Sequence, residues 1–78
     1  GYKVMAGLLE EFIPAYLHED KSPYEKKLLA LMPRQFYARE DSVYARIRSV
    51  LDFVSGMTDL YAVELFRKIR GISFPSLD

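Results

Sequence analysis

Ser42-Val43-Tyr44-Ala45-Arg46-Ile47-Arg48-Ser49-Val50-Leu51-Asp52-Phe53-Val54-Ser55-Gly56-Met57-Thr58-Asp59-Leu60-Tyr61-Ala62 carries two helices and the break between them. Val43, Ile47, Val50, Val54 and Met57 recur at spacings of four, three, four and three, which places them on one helix face. Tyr44 and Leu51 widen that stripe, while Arg46, Arg48 and Asp52 mostly lie off it. Asp41 or Ser42 opens the helix. Gly56 ends it, in the left-handed conformation that glycine tolerates. Thr58 follows as the cap of a further helix, with Asp59 in its first turn at the positive end of the dipole.

Downstream, Tyr61, Ala62, Leu65, Phe66 and Ile69 face inward, and Glu64, Arg67, Lys68 and Arg70 outward. The basic residues gather where the helix dipole is negative. Gly71 is expected as the C-cap, and Pro75 blocks continuation. Upstream, Arg34 to Glu40 reads as a connector pinned by Phe36 and Tyr37. Before it, Ser22-Pro23-Tyr24-Glu25 is a capping box with proline at the first helical position. That helix carries Leu28, Leu29, Leu31 and Met32 and stops near Pro33. The first segment, Tyr2 to Leu17, shows one wide apolar face through Val4, Met5, Leu8, Leu9, Phe12, Ile13, Tyr16 and Leu17. Pro14 lies inside it and should kink the helix or end it near Ile13; a kink or a new turn is expected, because the apolar pattern continues past it. The expected fold is all-α, a small bundle of about four helices.

Seventy-eight residues allow one domain, near the lower size for a self-sufficient core. Half the residues are apolar, yet no apolar run approaches the roughly 20 residues of a membrane span. There is no cysteine, hence no disulfide and no thiolate nucleophile or ligand. Eleven acidic and eleven basic side chains leave no net charge, which argues against strong nucleic-acid binding through phosphate neutralisation. The text begins at Gly1 inside a helical pattern, without a signal peptide. The expectation is an excised segment of a larger all-α, cytoplasmic protein.

Catalytic chemistry is sparse. A hydrolytic metal site takes several convergent His, Asp, Glu or Cys ligands, and the chain has one histidine. His18-Glu19-Asp20 reads better as a solvated helix end, because adjacent residues do not face one another on a helix. Ser42, Ser49, Ser55, Ser73 and Ser76 have no second histidine to activate them. No glycine-rich phosphate loop is present. Asp52 and Asp59 form an imaginable carboxylate pair on either side of the break. Arg39, Arg46 and Arg48 suit ion pairs with Glu40, Asp41 and Asp52 better than a phosphate. The tyrosines, Tyr2, Tyr16, Tyr24, Tyr37, Tyr44 and Tyr61, fit the edge of a small core or a buried interface between domains.

The stretch Val50 to Ala62, V-L-D-F-V-S-G-M-T-D-L-Y-A, resembles the D-[YF]-[VI]-x-G-M-T-D-x-x-A signature in the C-terminal region of bacterial dGTP triphosphohydrolases of the HD-domain superfamily. Gly1 to Val4 with Leu8-Leu9, Leu28-Leu29 through Phe36, and Gly71-Ile72-Ser73 with Pro75 resemble the opening, middle and end of that phosphohydrolase-associated region. The resemblance implies that residues 1–78 are a single C-terminal helical domain whose catalytic HD domain lies upstream. It implies an enzyme that splits a deoxynucleoside triphosphate into deoxynucleoside and tripolyphosphate. The divalent metal, Mg or Mn, is held by an upstream H…HD…D set, and none in this chain. Implied partners are that HD domain, further copies in a homo-oligomer and the nucleotide; no membrane is implied, and nucleic acid is not expected. Asp52, Gly56, Met57, Thr58, Asp59 and Tyr61 become the motif or substrate-contacting candidates. Two rival readings stand beside this one: a free-standing helical interaction module, and a nucleic-acid binder using Arg39, Arg46, Arg48, Arg67, Lys68 and Arg70. If Leu51 is core, Leu51→Ala should cost about 2–5 kcal/mol.

Overall fold

A computed structural model describes residues 2–73, with side chains placed for 3–72. Helix α1 runs Tyr2–Leu17, α2 Pro23–Ala30, α3 Val43–Ser55 and α4 Asp59–Ser73, with a 3-10 turn at Arg34–Phe36 between α2 and α3. The fold is all-α, and no strand occurs among the described residues.

The caps form where the local sequence places them. Ser22 Oγ accepts from the Glu25 amide at 3.2 Å, and Glu25 Oε1 accepts from the Ser22 amide at 2.9 Å. Of the two candidates for the start of α3, Ser42 is the cap: its Oγ accepts from the Ala45 amide at 3.1 Å. Asp41 instead pairs with Arg46. Thr58 Oγ1 accepts from the Tyr61 amide at 3.1 Å and opens α4.

Helix α1 is the hub. It packs against α2, α3 and α4, whereas α3 and α4 make little contact beyond the corner that joins them. Each helix contributes to one core: Leu8, Phe12 and Ala15 from α1; Leu28 and Leu29 from α2, with Met32 just beyond its end; Val50, Phe53 and Val54 from α3; Ala62, Leu65 and Ile69 from α4. Phe12 meets Phe53 edge-on, with centroids 5.5 Å apart and planes at 82°. Phe53 also meets Phe36 at 5.4 Å, which ties the 3-10 turn to α3. At the α1–α4 crossing, a Cβ on Gly7 would lie 2.7 Å from the Phe66 ring, so glycine sets how closely these helices approach. The connector is pinned as expected. Tyr37 donates its hydroxyl to the Leu29 carbonyl at 2.8 Å, and Tyr16 Oη accepts from the Ala38 amide at 2.9 Å.

As the apolar pattern past Pro14 leads one to expect, α1 continues to Leu17, with the His18 amide bonded to the Pro14 carbonyl at 3.0 Å. Buried Phe12 and Ala15 anchor the helix on both sides of the proline, whose own side chain is exposed. Four expectations are corrected. Gly56 caps the end of α3 as expected, but with φ −87° and ψ −1° it has ordinary right-handed backbone rather than left-handed. The corner turns at Met57 and Thr58, so no positive φ is needed. Gly71 lies within α4 and does not cap it; Pro75 lies outside the described residues. Finally, Val43, Tyr44 and Leu51 are 61%, 73% and 41% exposed. The buried face of α3 is Ser49, Val50, Phe53 and Val54. It is turned toward α1, and the splayed α4 leaves the Tyr44–Leu51 flank uncovered. Tyr61, expected inward, is half-exposed.

Candidate functional site

The signature stretch folds into the α3–α4 corner. The Met57 amide bonds the Val54 carbonyl at 3.2 Å, and the Ala62 amide bonds the Thr58 carbonyl at 3.0 Å. Three residues, Gly56, Met57 and Thr58, separate the end of α3 from the start of α4. Thr58 spends its hydroxyl on the cap. Met57 is half-buried against the core. A Cβ on Gly56 would lie 3.4 Å from the Asp52 carbonyl oxygen, an ordinary contact.

Four of the six candidates meet in one place. Gly56, Met57, Thr58 and Tyr61 line an open crevice of about 290 Å³ with Phe36 and Phe53. Asp52 and Asp59 do not line it. Asp52 sits on the outer surface of α3, where its Oδ1 accepts from Arg48 Nε at 3.2 Å. Hydrogen bonds from the guanidinium to Asp52 and to Tyr44 hold Arg48 above its usual range. Asp59 occupies the first turn of α4, where a carboxylate meets the positive end of the dipole. The two carboxylates thus serve different helices, and the pairing considered for them is not a feature of the fold.

The sequence reading did not assign Phe36 or Pro33 to this site. Phe36 was legible as an anchor of the connector, but nothing local says that the 33–36 turn folds over the start of α4. The crevice is apolar, with the Thr58 hydroxyl already engaged. It offers a surface for packing and no nucleophile.

The polar residues cluster at the other helix junction. His18 Nδ1 lies 2.5 Å from Glu25 Oε2. The Ser22 amide first, and then His18, draw the Glu25 carboxyl below its ordinary value. Lys21 Nζ donates to the carbonyls of Ala15, Tyr16 and His18 at 2.8, 3.1 and 2.5 Å, closing the C-terminal end of α1. Among the described residues, no three His, Cys, Asp or Glu side chains converge in a way that could hold a metal ion. The single histidine is engaged with Glu25, so these residues do not fit the metal of a hydrolytic centre. No helix among the described residues is long and apolar enough to cross a membrane.

The sequence model of the phosphohydrolase-associated domain matches residues 6–68. The chain is 35% identical over 74 residues to a deoxyguanosinetriphosphate triphosphohydrolase-like protein of Synechocystis, an alignment covering 94% of this chain and 17% of that protein. A protein of the same name from Listeria monocytogenes is 34% identical over 89 residues, covering 94% of this chain and 19% of its own length. One from Pseudomonas aeruginosa is 33% identical over 79 residues, covering 96% and 18%. The chain spans less than a fifth of the length of these curated relatives. No solved structure matches it.

Proposed function

This chain belongs to the phosphohydrolase-associated domain family, and from that membership we propose that it is the non-catalytic C-terminal helical region of a dGTP triphosphohydrolase-type enzyme. One observation carries the reading. Nearly all of the chain aligns with under a fifth of proteins named as deoxyguanosinetriphosphate triphosphohydrolase-like. In this reading an HD domain in the same polypeptide binds the divalent metal and cleaves the deoxynucleoside triphosphate to deoxynucleoside and tripolyphosphate. The present residues contribute a packed helical platform, contacts within a cytoplasmic homo-oligomer and one wall near the nucleotide.

The site chemistry supports that division of labour. The α3–α4 corner is mainly apolar, the Thr58 hydroxyl oxygen accepts the cap bond of α4, Asp52 pairs with Arg48, and Asp59 sits in the first turn of α4. Such a corner positions neighbouring structure without transferring protons.

The test compares the full-length polypeptide containing this chain with the 78-residue chain alone. Each is incubated with dGTP and Mg or Mn, and tripolyphosphate is measured. Release by the full-length protein and none by the short chain is the expected result. Release by the short chain overturns the reading. A natural reading frame no longer than this chain does so too, and leaves the free-standing interaction module in its place.

A further inference from the structure

The V between α3 and α4 leaves an apolar surface that no described residue covers. Phe36, Phe53 and Met57 line the crevice at its apex, with Tyr61 and Thr58 at the α4 side. Thr58 and Tyr61 also line a second hollow of about 440 Å³ that runs along α4 past Leu65 to Lys68. Crevice and hollow adjoin at Thr58 and Tyr61, and together they form a trough. Leu60, 70% exposed, lines it beside Tyr61 at 47%. The hollow is bounded by α4 alone, so this flank of the helix has no neighbour in the described structure. The hollow between α1 and the connector is different, being lined by His18, Lys21, Arg39, Asp41 and Arg46.

We propose that this trough is the docking face for an apolar-faced helix of the same polypeptide, with one aromatic or branched aliphatic side chain seated in the crevice. The proposal rests on the reading that the chain is part of a larger enzyme, and it names the face that meets the remainder. Dimensions favour a helix. Thr58 to Lys68 along α4 spans roughly 15 Å at 1.5 Å per residue, about three turns of a partner helix. The crevice lies at the lower edge of the roughly 300–1,000 Å³ typical of small-molecule pockets and opens into the trough, as an anchor for an inserted side chain does.

Length and charge favour the same polypeptide as the source. More than four-fifths of each curated relative lies outside the aligned region. That part is covalently linked, so it reaches the trough at high effective concentration without a separate partner. The hollow is edged by Glu64 and Lys68, one of each sign and one turn apart on α4. A mixed polar rim around an apolar centre is the anatomy of a protein–protein contact. A nucleic acid or an anionic membrane selects a one-sign basic field.

The chain has no cysteine, so Leu60→Cys, Lys68→Cys and Tyr44→Cys each add one thiol to it. In the full-length polypeptide, maleimide labelling at each position is read by peptide mass spectrometry, in native buffer and in denaturant. The expected result is labelling at 60 and 68 slowed at least tenfold in the native state, with position 44 slowed only a fewfold. Labelling at 60 and 68 as fast as at 44 overturns the proposal. Protection that disappears on dilution overturns it as well, because the cover is then a second copy. Position 68, exposed at the far end, keeps the test valid if the Leu60 variant folds poorly. Protection at 60 and 68 in a protein that releases no tripolyphosphate leaves the docking face standing and removes the functional reading alone.

Discussion

Two of the junctions between helices, α1–α2 and α3–α4, have quite different chemistry. At the α1–α2 junction, every turn of the chain is met by a polar partner: Lys21 on three carbonyls, the Ser22–Glu25 box, and His18 on Glu25. Tyr24 adds a bond from its hydroxyl to Glu11 Oε1 at 2.5 Å, fastening α2 to α1. At the α3–α4 corner one threonine cap suffices, and the remaining surface is Phe36, Phe53, Met57 and Tyr61. The first junction is complete within the chain. The second is held from beneath by apolar packing and left open above. A corner whose polar groups are all spent is a hinge pin; one that keeps apolar surface in water is a contact face.

Four measurements break or sharpen that contrast. The largest effect belongs to the floor of the open corner. Phe53 is buried and touches both Phe12 and Phe36. Phe53→Ala should cost about 3–5 kcal/mol, enough to unfold most of a domain this small, as read by chemical denaturation. A loss under about 1 kcal/mol would mean that the crevice floor is not part of the core.

Next come the caps. Ser22→Ala and Thr58→Ala should each lose about 0.5–2 kcal/mol. Ser22 should be the milder of the two, because Glu25 Oε1 still accepts from the amide of residue 22 and keeps half of the box. Equal losses would erase the distinction between a networked corner and a minimal one. Smaller still are changes on the uncovered flank. Leu51→Ala should move stability by no more than about 0.5 kcal/mol, not the 2–5 kcal/mol of a core leucine. Gly56→Ala should be neutral or stabilising by up to about 1 kcal/mol, since its φ is already negative.

The smallest effect is the pH response of the closed junction. The Glu25 carboxyl is held below its ordinary 4.5. A depressed carboxyl stabilises the fold above its unfolded value, and that contribution disappears as pH falls through the lowered folded value. Helicity followed by circular dichroism should therefore decline more steeply below pH 4.5 in the parent chain than in Glu25→Gln. Identical acid limbs would remove Glu25 from the account.

What the sequence showed and what it hid follow from the range of the forces. The caps at Ser22, Ser42 and Thr58 were legible because a cap is made within three residues. The inward set Ala62, Leu65 and Ile69 was legible because helical periodicity aims side chains before any partner arrives. Tyr37 and Phe36 were recognisable as anchors from residue type, although not by their partners. Gly56 was placed correctly at the end of α3 but given the wrong handedness, and Gly71 was misplaced, because a glycine signals permission for a left-handed turn that the chain does not use at Gly56 and does not need inside α4. The continuation of α1 past Pro14 was legible because the apolar pattern runs on, and the burial of Phe12 and Ala15 outweighs one missing backbone bond. At the candidate site, the signature residues were found together by motif, but only Gly56, Met57, Thr58 and Tyr61 share a surface. Asp52 pairs with Arg48 on α3, and Asp59 lies in the first turn of α4.

By itself, then, the sequence determined the all-α class, the helix starts and the absence of cysteine chemistry, since each depends on residue type and spacing over a few turns. The tertiary structure alone decided which face of α3 is buried, that α3 and α4 splay apart, and that the 33–36 turn closes one side of the crevice. Those depend on how α1 is shared among its three neighbours. A helix of given amphipathicity presents the same stripe whichever neighbour arrives, so only packing settles which part of that stripe stays in water.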